Sequence, residues 1–180
     1  MTFAARYFSL HEIALLSLCG ALVFLLKTAL KVPVHLPGNS GILWVLPLIV
    51  ATAIVQKPGS ATYAGFVSGI LASFFGTDAL HILDLAKYLA MGMAIDLCAA
   101  VFSYRVDHPV AGFICGAAGN LVKMVVNYAV QLLFGIQAAF IVLGIGVSSA
   151  THLVFGGIGG IIAALLIRRL KSAGVIAEDV

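Results

Sequence analysis

The sequence predicts an all-α integral membrane fold, a bundle of six transmembrane helices with both termini in the cytoplasm. Three observations carry that expectation. First, only 9% of the 180 residues are charged and 62% are hydrophobic. A soluble domain carries about 25% charge, and so few charges do not cover a water-facing surface. Second, the apolar residues come in runs able to cross hydrocarbon, which takes about 20 residues, or about 17 at the short end. Third, the basic residues between the runs gather on one side. No polar stretch is long enough for a soluble domain, so residues 1–180 read as one membrane domain.

The first span is expected over about 10–30. Its apolar run is too long for a signal sequence and lacks a small-residue cleavage site, so it is expected to stay as a helix. The second covers 41–55 and stops at "QKPGS". The third covers 61–75 and ends at "GTD". Both are short. The fourth, about 80–104, stops at "RVDHP". The fifth starts at Pro109, a residue suited to a first helical turn, and runs to about 134. The sixth covers about 149–170. Before it lies "GIQAAFIVLGIGVSS", apolar but interrupted by glycine. A re-entrant piece, an interfacial piece and a helix extension all fit it. No internal repeat is apparent, which does not support an inverted-repeat transporter.

With both termini inside, Arg6, Lys57, Arg105, Arg168, Arg169 and Lys171 fall on the cytoplasmic side, and only Lys27 and Lys31 fall outside. This asymmetry satisfies the positive-inside rule. The stretch "KVPVHLPGNSG" is then an outer loop. Pro33 and Pro37 fix backbone angles, while Gly38 and Gly41 permit tight turns. Such a loop can fold over a cavity and present His35, Asn39 and Ser40 to it. Trp44, just inside the second span, could stack on a planar ligand or sit in an interfacial aromatic belt.

Several residues do not belong in lipid. The fourth span carries Asp84, Lys87 and Asp96. The fifth carries Asn120, Lys123, Asn127 and Gln131, at spacings that put them on one helix face. A charge near the bilayer centre costs several kcal/mol unless it pairs or meets water. At about 1.5 Å per residue, Lys87 is expected roughly 10 Å below the outer end of its span and Lys123 roughly 16 Å below the outer end of its own. Both therefore point to a cavity open to the outside. Asp84 is one turn from Lys87 and can pair with it. Asp96 lies far deeper, on the opposite face. The plainer alternative is that these groups tie helices together by ion pairs and hydrogen bonds.

His11 and His108 are expected at the cytoplasmic rim. His35, His81 and His152 fall near outer ends, with His152 best placed to line a pocket. With Asp84 nearby, three imidazoles could bind a transition metal, but they lack ligand spacing, and no metal-ligating set is assigned. Cys19, Cys98 and Cys115 read as small packing residues. Gly65 and Gly69, Gly112 and Gly116, and Gly156 and Gly160 are small-xxx-small pairs suited to close helix packing.

The run "HEIALLSLCGAL", the loop "LPGNSG", the turn "QKPGSATYAGFVSGILASFFG" and the segment "HLVFGGIGG", together with six spans at this length, resemble the substrate-binding S-components of energy-coupling factor (ECF) transporters. The resemblance covers nearly the whole chain. It implies a micronutrient held near the outer face under the first loop. It also implies toppling in the membrane, driven by a transmembrane coupling subunit and two cytoplasmic ATPases. Ala14, Ser17 and Ala21 would form the docking patch, with Ser17-xxx-Ala21 in place of the family's usual Ala-xxx-Ala. The sequence contains no Gly-x-x-x-x-Gly-Lys phosphate loop, so ATP is expected to be used by the partners, and no cofactor is expected in this chain.

Solute capture at the cell membrane fits these features best, with a vitamin or related heterocycle, an anionic group being favoured by Lys87 and Lys123, bound by His35, Asn39, Trp44, Asp84, Lys87, Asn120, Lys123, Asn127 and His152. Transition-metal capture is the alternative substrate class. An integral-membrane enzyme or a structural subunit is less well supported. Asp84 and Asp96 lie roughly 18 Å apart along one helix, too far to act on one bond. The chain is not expected to be an enzyme or to bind nucleic acid.

Overall fold

The computed structural model describes residues 7–29, 37–76, 81–135 and 138–176, the last with backbone only for 138–143. Six α-helices and no strand are found among these residues: α1 (Leu10–Ala29), α2 (Gly41–Val55), α3 (Ser60–Phe75), α4 (Asp84–Val101), α5 (Pro109–Leu133) and α6 (Ala138–Ser172). A short 3₁₀ turn, His81–Leu83, precedes α4. Among the described residues, three helical stretches are long and apolar enough to cross a membrane: Leu10–Ala29, Pro109–Leu133 and Gly144–Ser172. With α2 and α3 as shorter apolar helices, the whole is an integral membrane bundle.

The helices pack as a closed ring. α1 lies against α2 and α3, α3 against α4, α4 against α5, α5 against α6, and α6 against α2. The core is chiefly aliphatic, with Leu16, Leu48, Ile49, Met91, Ile95 and Ile167 fully buried. α2 is the most enclosed helix, buried along most of its length, in keeping with its lack of charged residues.

The sixth helix starts at Ala138, not near Ser149. Residues 138–148 continue it in spite of Gly144 and Gly146. The reason is that a segment in lipid must satisfy its own backbone hydrogen bonds, and a helix does so locally. The fourth helix is also shorter than expected at both ends. Its C-terminus closes with Tyr104 N–H donating to Ala99 O (2.7 Å) and Ser103 N–H to Ala100 O (3.0 Å). These are the two bonds of a Schellman ending.

The glycine pairs of α5 and α6 interlock. A Cβ on Gly116 would overlap the carbonyl oxygen of Gly156, and one on Gly160 would overlap that of Gly112. The backbones therefore touch, and the antiparallel register is fixed. Gly116→Leu is expected to force the helices apart and to cost about 3 kcal/mol, the upper range for overpacking. A heat-challenge assay by size exclusion should show the loss; an unchanged midpoint would mean that this contact does not set the register.

The same register makes α2 short in space as well as in sequence. Gly159 packs on Ile42, and Gly41 lies against the Asn120 amide. α2 thus begins at the level of Asn120. α5 continues to Leu133, thirteen residues and roughly 20 Å farther. Among the described residues, no helix completes the ring above the start of α2.

Candidate functional site

The space above α2 is a hollow of about 160 Å³, room for about five waters at about 30 Å³ each. Trp44 forms its base. Lys27 reaches it from α1, Asp84 and Lys87 from α4, Lys123 and Asn127 from α5, and His152 from α6. Asp84, Lys87 and Lys123 are at most 8% exposed, so their charges are largely withdrawn from solvent.

Asn120 is the bracket beneath the hollow, fully buried. Its Oδ1 accepts from Trp44 Nε1 at 3.1 Å. Its Nδ2 donates to His152 O at 2.9 Å and to Gly38 O at 3.4 Å. An indole donor and two carbonyl acceptors fix which way the amide points. One side chain thereby joins α2, α5, α6 and the end of the first loop. Gly38 sits at φ +76 with the His152 ring against it, where a Cβ would fall 2.6 Å from the imidazole. The His152 Nδ1 lies 2.7 Å from Ser148 O, a contact in which the ring nitrogen is the donor.

The charges are arranged in two groups. Asp84 accepts from Lys87 at 2.9 Å and from Lys27 at 3.2 Å. The ammonium of Lys123 stands 3.0 Å from the Trp44 ring centroid and 3.9 Å from that of Tyr88. The two rings meet edge to face at 90°, forming a corner in which a cation is attracted to π-electron density. The Trp44 face expected to stack on a ligand is therefore occupied by Lys123.

The structure brings together Trp44, Asp84, Lys87, Asn120, Lys123, Asn127 and His152. Asn39 is not among the residues that line the hollow, and its Oδ1 accepts from Ser40 Oγ. His35 lies outside the described residues. Lys27 and Tyr88 belong to the site and were not anticipated. Lys27 had been read only as a marker of topology, although a lysine in the last turn of an apolar helix raises the same question as Lys87. His81 turns away, its Nδ1 2.9 Å from Ser73 O. Among the described residues no three His, Cys, Asp or Glu side chains come together as metal ligands.

Asp96 has a separate task. Its carboxylate accepts from Ala61 N–H (3.0 Å), Thr62 N–H (2.7 Å) and Thr62 Oγ1 (2.5 Å). It caps α3 from the neighbouring helix, since α3 follows Gly59, which offers no side-chain cap. On the outside of α1, Ala14 is exposed and Ser17 and Ala21 are half-buried. They stand beside the exposed Leu18, Leu22 and Leu25, away from the hollow.

A family profile described as the permease component of ABC-type cobalt transport systems matches residues 11–122. The match includes Lys27, Trp44, Asp84, Lys87 and Asn120, and ends before Lys123, Asn127 and His152. No curated protein and no solved structure matches the chain.

Proposed function

From the premise that this chain belongs to the family of permease components of ABC-type cobalt transport systems, a multi-pass membrane protein of transport, we propose that it is the solute-capture subunit, or S-component, of an ECF-type importer. Its ligand is a compact anion, a planar heterocycle or related micronutrient, held in the hollow above α2. The observation that carries this reading is the charge balance. Among the described residues that line the hollow are three ammonium groups, Lys27, Lys87 and Lys123, and one carboxylate, Asp84. An anion would complement this basic lining. It would draw Lys123 from the Trp44 face and free that ring for stacking.

The family's title favours a second occupant, a cobalt ion. A bare divalent cation would meet three ammonium groups and a single carboxylate there, which opposes it. Mass spectrometry of the small molecules that co-purify with the full chain, with elemental analysis for cobalt, separates the two. An organic anion near one per chain is expected; stoichiometric cobalt without an organic partner would overturn the reading.

Binding alone does not move a solute. On this reading a coupling subunit and two ATPases supply the energy, and the first docks on the small-residue face of α1. Lys57, Arg105, Arg168 and Lys171 share the end of the bundle opposite the hollow, which by the positive-inside rule supports a cytoplasmic position for that end and an outward opening for the hollow. Ala21→Trp is expected to leave ligand affinity within about twofold, because the site is remote, and to abolish co-purification with the coupling subunit and uptake. Uptake at the original rate would move the docking face elsewhere.

A further inference from the structure

The end of the bundle opposite the hollow holds a second recess, of about 480 Å³, between the α4–α5 turn and the end of α6. Arg105, His108 and Arg168 form its polar rim, and Phe102, Val110 and Ala111 its apolar wall. We propose that this recess binds the phosphate of an anionic membrane lipid, with the acyl chain against the apolar wall.

The turn positions the arginines from both sides. Ser103 and Tyr104 are consecutive non-glycine residues in the left-handed region, at φ 50 and 61. Such residues cost free energy and persist only where the surroundings hold them. Here Val106, fully buried, anchors the turn, and Arg105 is left exposed beside it. From the other side, Arg168 Nε donates to Asp107 O at 2.8 Å, which holds the guanidinium at the rim.

The charges favour an anion. Asp107 is the acid among the described residues that line the recess, and its carboxylate lies 3.5 Å from Lys171 Nζ. With that acid offset, Arg105 and Arg168 remain as the surplus. The N-terminus of α5, a 25-residue helix starting at Pro109, adds its positive end. Guanidinium groups match phosphate geometry, and basic pockets between spans hold lipid headgroups.

The wall favours a lipid over free phosphate. Val110 is 57% exposed and Val101 80% exposed, an apolar surface that continues from the recess onto the outside of the bundle. A soluble anion would use the arginines and leave this surface uncovered.

The test uses the full chain, delipidated and reconstituted with phosphatidylcholine and a minor fraction of phosphatidylglycerol, with bound lipid counted by native mass spectrometry. Wild type is expected to retain phosphatidylglycerol selectively. Arg105→Gln should weaken retention about tenfold, the loss of one charge-assisted contact. Arg168→Gln should do the same, and if loss of its Asp107 bond unfolds the turn, Arg105→Gln still decides. Arg169→Gln, at the same end but outside the recess, should retain lipid as wild type does. Equal retention in wild type and Arg105→Gln, or an equal loss in Arg169→Gln, would overturn the proposal. Displacement of the lipid by millimolar inorganic phosphate would overturn the lipid assignment and leave a free-anion site.

Discussion

Lys123→Ala is expected to weaken ligand binding about a hundredfold while the protein still purifies as a folded species. A hydrogen bond to a charged group contributes about 1.5–3 kcal/mol, and about 1.4 kcal/mol is tenfold in affinity. Lys123 sits near the upper end of that range because it is almost fully buried, where its attraction to an anion is poorly screened. The fold should survive because Lys123 does not form the Asn120 bracket that joins α2, α5 and α6. Isothermal titration with the identified ligand gives the affinity, and the thermal midpoint gives the fold. Asn127→Ala should act in the same direction more weakly, since an uncharged contact contributes about 0.5–1.5 kcal/mol. If both variants lose folding in proportion to binding, these groups hold helices together and do not recognise a solute.

Asp96→Ala is expected to do the reverse: it should damage the fold and spare the affinity of the molecules that remain folded. Removing the carboxylate strips Ala61 N–H, Thr62 N–H and Thr62 Oγ1 of their acceptor at a helix start that is otherwise uncapped. Loss of a cap costs about 0.5–2 kcal/mol, and leaving buried donors unsatisfied raises this to about 3 kcal/mol or more. Asp96→Asn keeps an acceptor and should recover part of the loss. Fluorescence-detected size exclusion after heating measures the first claim, and ligand titration of the surviving monodisperse fraction measures the second. Full thermal stability in Asp96→Ala would show that α3 does not depend on this cap.

The polar lining of the hollow was legible where the signal was local. Asn120, Lys123 and Asn127 recur at helical spacing, and Asp84 and Lys87 are one turn apart, so each set had to share a face. What the sequence did not display was depth. The start of α2 at the level of Asn120 depends on Gly41 and Gly159 meeting their neighbours in space, and no periodicity within one segment encodes that. Lys27 was missed for the same reason, because its partner Asp84 is 57 residues away. Asp96 could have been read from a negative sign: α3 begins after a glycine with no capping side chain, and an uncapped helix start in a membrane needs an acceptor from elsewhere. Gly144 and Gly146 left the segment before Ser149 open between a helix extension and a broken piece because glycines weaken a helix in water, whereas lipid offers the backbone no alternative partner.

The account turns on whether a solute enters the space above α2, and Trp44 reports on that space directly because it is the sole tryptophan in the chain. Its indole is bonded to Asn120 and faced by the Lys123 ammonium, so an arriving anion that draws Lys123 away must alter its emission. Titrating the ligand-free full chain should shift Trp44 fluorescence to saturation at one ligand per chain, with the same midpoint as calorimetry. Calorimetric binding at full affinity with Trp44 emission unchanged would place the ligand elsewhere and contradict the account.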